Sequence, residues 1–247
     1  MNTLAHNGYT EAWRRVGAAV PRPAAILAGS APWSLHGTAV TAMPAPRTIH
    51  DFAGFPQALF DFQYPAPGDP ALAQRVCEML APLEVRADTT WGLDHGTWSV
   101  LAHVFPAADI PVVQLSIDAT QPPAFHYDLG RRLAPLRDEG VLIVASGNVV
   151  HNLGMLNWQD DAPAYDWAQR FNAAVGGYIR TRDHAPLVDY ANLGADARRA
   201  IPTAEHYLPL LYILGLQDGS EPAGIVVEGI QNASISMLSV VIGSAAL

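Results

Sequence analysis

Val141-Leu-Ile-Val-Ala-Ser-Gly-Asn-Val-Val-His-Asn-Leu-Gly154 is the stretch that decides the fold class. Its first five residues form an unbroken apolar run with the length and β-branched content of a buried strand. The run stops at Ser146-Gly147-Asn148, residue types that favour a tight turn. His151 follows within one short step of the strand's end. In open α/β sheets, ligands bind in the crevice beyond the carboxyl ends of strands. His151 is therefore either part of a reaction centre or a loop histidine held by local hydrogen bonds.

Outward from this strand the same alternation recurs. Residues 24–28, 37–43, 83–86 and 110–117 read as further strands, and residues 9–20, 71–80, 122–137, 165–178 and 205–215 read as helices. Residues 195–200 are too short to assign. Residues 91–98 read as a polar, aromatic turn leading into a helix from Ser99, and residues 224–228 and 234–243 as a terminal hairpin. Between residues 44 and 70 lie many of the 20 prolines together with Phe52, Phe55, Phe60, Phe62 and Tyr64. A long ordered loop of that composition is a wall or lid rather than a linker. There is no internal repeat and no charge run, so one α/β domain over residues 1–247 is the economical reading.

Composition limits the function. Half of the 247 residues are hydrophobic and 15% are charged, enough apolar material for a sizeable core. A net charge of -9 argues against nucleic acid as a partner, because phosphate binding needs clustered Lys and Arg. Cys77 is the single cysteine, which excludes a disulfide framework and fits a reducing compartment. No apolar run reaches the roughly 20 residues of a membrane span. A soluble, acidic, cytoplasmic protein is expected.

The nine histidines differ in setting. His184 sits in a polar loop and reads as solvated, and His103 lies on a helix as a packed or partly exposed residue. His50 precedes Asp51 in a loop, where the carboxylate either orients another group or makes a local turn. His95, in Asp94-His95-Gly96 between Trp91 and Trp98, has the aromatic, partly dry setting that tunes an imidazole for proton transfer. His126 opens a helix and is equivocal. His206 begins an apolar helix, where a polar group is costly without a partner. His95, His151 and His206 together suggest one site, which spacing alone does not prove.

Several blocks carry a resemblance that runs in order along nearly the whole chain. They include Thr48-Ile-His-Asp-Phe-Ala-Gly-Phe-Pro-Gln-Ala-Leu59, Gly92-Leu-Asp-His-Gly-Thr-Trp98, Ala145-Ser-Gly-Asn-Val-Val-His-Asn-Leu153 and Thr203-Ala-Glu-His-Tyr-Leu-Pro-Leu-Leu211. In these the chain resembles the class III extradiol ring-cleavage dioxygenases (LigB-like), in their DOPA-dioxygenase branch. The resemblance implies a single α/β domain around a central mixed sheet. It also implies insertion of dioxygen into a catechol ring beside its two hydroxyls, at a non-haem Fe(II) that zinc often replaces. By the same resemblance His206 is a metal ligand, and His151 is a ligand or the adjacent acid/base. His95 and His126 line the substrate pocket, with proton transfer the role of His95. His50, Phe52, Trp98, Asn148 and Tyr207 are substrate-binding candidates.

Two departures from the family pattern stand out. The family's first strand, ending in a Gly-His-Gly-Ser-Pro segment that supplies one ligand, has no counterpart here. A second ligand lies in a Ser-Ala-His-Trp segment, where this chain has Ser30-Ala-Pro-Trp33 and Pro32 offers no donor. Mononuclear Fe(II) oxygenases need three protein ligands, and His151 and His206 supply two. His6 and His36 are conceivable substitutes, although surface drift explains both more simply. A missing strand would also expose a sheet edge, a liability that a homodimer would cover. The favoured expectation is an enzyme on a catechol-like or phenolic small molecule, using metal-independent histidine acid/base chemistry for tautomerisation, condensation or cyclisation, with no cofactor required. The alternatives are inherited extradiol cleavage at an Fe(II) or zinc site completed by another ligand, and a non-catalytic binding protein on the same scaffold.

Overall fold

A computed structural model describes residues 2–159 and 162–243. The chain groups into two compact units, residues 1–120 with 132–146 and residues 121–131 with 147–247.

In the first unit, α1 (Gly8–Ala19) starts at a capping box in which the Asn7 side chain accepts from the Tyr9 and Thr10 N–H groups. After it come β1 (Ala25–Leu35), β2 (Thr38–Thr41), α2 (Gln57–Asp61), α3 (Pro70–Met79), β3 (Val85–Asp88), α4 (His95–Val104) and β4 (Val112–Asp118). The unit closes with β5 (Val141–Ser146), the strand read first. Its five strands form one sheet in the order β3-β2-β4-β1-β5. β1 runs parallel to β4 and β5, β2 runs parallel to β3, and β2 meets β4 antiparallel. The fold is thus the expected α/β class, with a mixed central sheet flanked by helices. Every residue of β4 is buried, and Ile26, Leu27, Val112 and Ile117 are at most 1% exposed. Burying each such side chain contributes about 1.5–3 kcal/mol.

β1 is longer than the apolar run predicts. Its pairing with β4 jumps from Gly29↔Leu115 to Ser34↔Ile117, so residues 30–33 bulge from the ladder around Pro32, which has no N–H to donate. Trp33 closes the bulge by stacking on Trp91, with ring centroids 5.6 Å apart and planes 4° off parallel. α4 begins four residues earlier than the predicted Ser99, because Asp94 caps it by accepting the Thr97 N–H.

In the second unit, α5 (Pro123–Leu133) contributes its first nine residues, and a 3-10 turn over Ala134–Arg137 replaces the rest of the predicted helix at Pro135. The unit continues with α6 (Asp166–Thr181), α7 (Ala185–Val188), α8 (Ala195–Ala200) and the buried, wholly apolar α9 (Leu208–Leu216). β6 (Ala223–Val227) pairs antiparallel with β9 (Ser239–Ile242), as the predicted terminal hairpin requires. A smaller hairpin of β7 (Ile230–Gln231) and β8 (Ile235–Ser236) is inserted between them. Among the described residues no helix is long and apolar enough to cross a membrane.

Candidate active-site elements

The first unit assembles a carboxylate–imidazole dyad. Residues 47–49 are zipped to residues 91–93: Ile49 N–H donates to Leu93 O (2.7 Å), Leu93 N–H donates to Arg47 O (2.9 Å), and Thr48 bridges Leu93. This zipper sets Asp51 opposite His95, the first residue of α4. One oxygen of Asp51, Oδ1, accepts the His95 backbone N–H at 3.0 Å and lies 2.9 Å from His95 Nδ1. The side chains are 17% and 27% exposed, so solvent screens the pair only in part. The Nδ1 contact lies off the ideal hydrogen-bond direction, as is common before substrate tightens such a pair. Burial pushes the Asp51 carboxyl up, and the hydrogen bonds and charge of His95 more than offset it, holding the group below its ordinary range.

Aromatic rings surround the dyad. Phe52 meets the His95 ring edge-on at 5.6 Å and packs on Phe60 at 4.8 Å. His50 donates from Nε2 to Phe62 O (2.8 Å) and lies 5.7 Å from the Trp98 ring. Trp98 donates from Nε1 to Ile49 O (2.9 Å) and is fully buried, forming the floor of the cluster. His50, Phe52, His95 and Trp98, four of the expected residues, are therefore brought together. Pro32 belongs to the same neighbourhood. A Cβ on Gly96 would sit 2.1 Å from Ser30 Oγ and 3.1 Å from Pro32 Cδ, so only glycine lets α4 start this close to the β1 bulge.

The second unit brings together His151 and His206. Asn148 holds His206: its N–H donates to His206 O (2.7 Å), its Oδ1 lies 3.3 Å from His206 Nδ1, and its Nδ2 donates to Ser236 O (2.6 Å). His151 N–H donates to Ala200 O (2.9 Å), and His151 bridges Ile235. A Cβ on Gly147 would meet His206 O at 2.2 Å, which explains the glycine after the strand. The two imidazoles stack with centroids 3.4 Å apart and planes 9° off parallel. Burial pulls His151 below the ordinary histidine range, against a smaller opposing effect of Glu205.

The remaining candidates are interior. His126 is 0% exposed, with Nδ1 2.9 Å from the Tyr212 hydroxyl. Tyr207 is 1% exposed and donates to Leu187 O (2.9 Å); burial raises its phenol far above the ordinary range. Its hydroxyl is committed to the fold rather than open to a ligand. His184, read as solvated, is half-buried against the Tyr127 hydroxyl at 3.0 Å, and His103 is packed at 5% exposure. His6 is exposed and feels His103 near the C-terminal end of α4, the end opposite His95, while His36 is exposed beyond β1.

The residues present do not fit a three-ligand metal centre. Among the described residues no group of three or more His, Cys, Asp or Glu side chains is placed to hold a metal ion. Imidazole lone pairs lie in the ring plane, so two nearly parallel, face-to-face rings direct them along parallel lines rather than at one ion. Pro32 contributes no donor.

Three residues beside the candidates, two in the first unit and one in the second, lay outside the expected set. Gln114 and Ser30 are fully buried beside Asp94, and Tyr212 faces His126. Gln114 left a signal, as the central polar residue of the apolar run Ile110-Pro-Val-Val-Gln-Leu-Ser-Ile117; the other two left none.

Comparison with known proteins places this arrangement. The family described as the catalytic LigB subunit of aromatic ring-opening dioxygenase matches residues 3–243. The chain is 54% identical to the 4,5-DOPA dioxygenase extradiol of Escherichia coli (strain K12), over 98% of this chain and 91% of that protein. It is 36% identical to the 4,5-DOPA dioxygenase extradiol of Beta vulgaris, over 88% of this chain and 82% of that protein. The crystal structure of an uncharacterised protein from Escherichia coli K12 superposes with a TM-score of 0.85 at 49% identity, covering 96% of this chain and 93% of that one. The chain belongs to the LigB family of aromatic ring-opening dioxygenases, among homologues of the DOPA dioxygenases.

Proposed function

We propose that the protein is an enzyme acting on a catechol-like or phenolic small molecule by proton transfer through the Asp51–His95 dyad, without a resident metal. The carrying observation is the carboxylate-held imidazole enclosed by Phe52, His50 and Trp98. Asp51 orients the His95 ring and favours the proton on Nδ1, leaving Nε2 to take a proton from a ring hydroxyl. Returning that proton to a ring or side-chain carbon completes a tautomerisation with no oxidant and no net change of protons. Phe52 and His50 offer ring faces for the substrate, with Trp98 behind them. Within the second unit, His151, which burial holds below the ordinary histidine range, and His126 are assigned to proton transfer, and Asn148 to holding His206 in place. The single free Cys77 suits a reducing cytoplasm.

A second reading has a specific observation in its favour: relatives named as extradiol DOPA dioxygenases share up to 54% of the sequence. In that reading the chain cleaves a catechol with dioxygen and ferrous iron held at His151 and His206 plus a substitute ligand. One experiment separates the two. The purified full chain is assayed on a panel of catechols with and without oxygen and ferrous iron, beside elemental analysis. The proposal expects substrate loss without oxygen uptake, and a fall of about 10²–10⁴-fold in His95→Gln. Oxygen uptake that needs iron, with stoichiometric metal lost in His206→Ala, replaces it with the second reading. Binding without turnover leaves a scaffold that only binds.

A further inference from the structure

Next to His95 lies a fully buried polar network that the proton-transfer scheme does not use. Asp94, Thr97 and Gln114 are at most 2% exposed. Asp94 is the residue before His95 and caps α4, accepting the Thr97 N–H at 3.0 Å. Its other oxygen, Oδ2, accepts from Gln114 Nε2. Gln114 Oε1 accepts the Thr97 hydroxyl (3.0 Å) and the Asp94 N–H (3.3 Å). Gln114 sits in mid-β4, paired with Ala28 of β1, and its own N–H donates to Thr41 Oγ1 of β2 at 2.8 Å. One side chain on the central strand thus makes three hydrogen bonds to the first turn of α4, the turn that begins with His95.

We propose that Gln114 is a positioning residue for His95, fixing the start of α4 so that the imidazole stays registered on Asp51. The inference rests on the reading that His95 moves a proton. Amide and carboxyl groups in that position are costly to bury, and the direction of Asp94 agrees: burial drives its carboxyl up, against the hydrogen bonds from Ser30 and Gln114, with the Asp51 charge adding to the rise. An apolar residue at position 114 would fill the same space in β4 but leave α4's first turn without its side-chain tie to the sheet. A displacement of about 1 Å at a catalytic group can cost of the order of 10²-fold in rate.

The test uses the full chain labelled with ¹⁵N-histidine, because ring ¹⁵N shifts report the tautomer of His95 directly and need no substrate. Wild type is expected to show the Nδ1–H tautomer alone. Gln114→Met, which keeps the shape and removes both polar atoms, is expected to show mixed tautomers, with kcat down roughly 10–100-fold and KM nearly unchanged. Gln114→Glu supplies the rescue: the two carboxyls share one proton and keep the link, so its kcat relative to wild type at the same pH is near one while that proton is held and falls as pH rises and the proton leaves. A folded Gln114→Met that keeps the wild-type tautomer and kcat overturns the proposal, even if its stability drops, since that is the result of a purely structural residue. If Gln114→Met does not fold, Thr97→Val decides in its place: it removes only the hydroxyl bond to Gln114, and an unmixed tautomer there overturns the proposal as well. Full turnover in His95→Gln would instead remove the proton-transfer reading, leaving the tautomer result to judge Gln114.

Discussion

Gly96→Ala separates two opposite expectations for one methyl group. Gly96 is the second residue of α4, and helix propensity alone favours alanine over glycine by about 1 kcal/mol. Packing argues the reverse. The new Cβ would lie 2.1 Å from Ser30 Oγ, 3.1 Å from Pro32 Cδ and 3.4 Å from Asp94 Oδ1. Ser30 is fully buried, so its hydroxyl has no solvent to swing into, and the α4 start must move. Overpacking of this kind costs about 1–3 kcal/mol. With the propensity gain deducted, a net loss of about 0–2 kcal/mol remains, a fall in Tm of up to roughly 8 °C for a chain this size. The sign is decided by the partner variant. Ser30→Ala removes the atom at 2.1 Å, so Gly96→Ala should cost less in that background, with a coupling of about 0.5–3 kcal/mol between neighbours. Urea unfolding of the four proteins measures the cycle. A Gly96→Ala protein more stable than wild type, or two substitutions whose effects simply add, would refute the close approach of α4 to the β1 bulge.

Two further outcomes follow from buried polar groups. Burial lowers His103, His151 and His184 below the ordinary histidine value of 6.5, so the unfolded chain takes up protons that the folded chain refuses. Their contribution is present above pH 6.5 and is lost as pH falls through that value, so the urea midpoint should drop from pH 7 toward 5 and drop less in His103→Gln; a flat or rising midpoint contradicts the assignment. Asp51, held low, adds its own loss only below the ordinary carboxylate range, where it becomes protonated. Asn148→Ala removes the link between His206, the turn after β5 and Ser236, and should cost about 1–3 kcal/mol by leaving buried partners unmade, measured as a shifted unfolding midpoint with unchanged m-value.

The elements with a strong period or a cap were legible from residues alone. The run at 141–145 is β5 to within a residue, and the apolar run at 110–117 is β4, because burial on both faces leaves a continuous hydrophobic signature. The start of α4 was misplaced although its cap, Asp94 followed by Thr97, is a helix signal; the helix-weakening Gly96 and the aromatic neighbours masked it. His151 and His206 lie 55 residues apart, and no spacing rule connects His206 to the Asn148 that holds it or to the His151 ring on which it stacks. The reach of Asp51 to His95 depends on the pairing of Thr48 with Leu93, a long-range contact between two irregular segments. Tyr207 carried the opposite lesson: a tyrosine beside a candidate ligand reads as pocket-lining, yet its hydroxyl is spent on Leu187.

Pro32 and Asp94 both lie against Gly96, under opposite structural demands. Position 32 lies in the bulge between Gly29 and Ser34, where the chain has already left the ladder, so a proline costs no sheet hydrogen bond and its ring packs against Gly96. A proline at that position is therefore tolerated by the fold. Asp94 is in the contrary situation. Helix capping alone is met as well by a half-exposed Ser or Thr, as Asn7 caps α1 from a part-buried position. A carboxyl at 0% exposure brings a desolvation cost that capping does not require. What the buried carboxyl adds is a second fixed anchor, through Gln114, for the residue that follows it. Position 32 is cheap for the fold, whereas position 94 carries a costly network that adjoins His95.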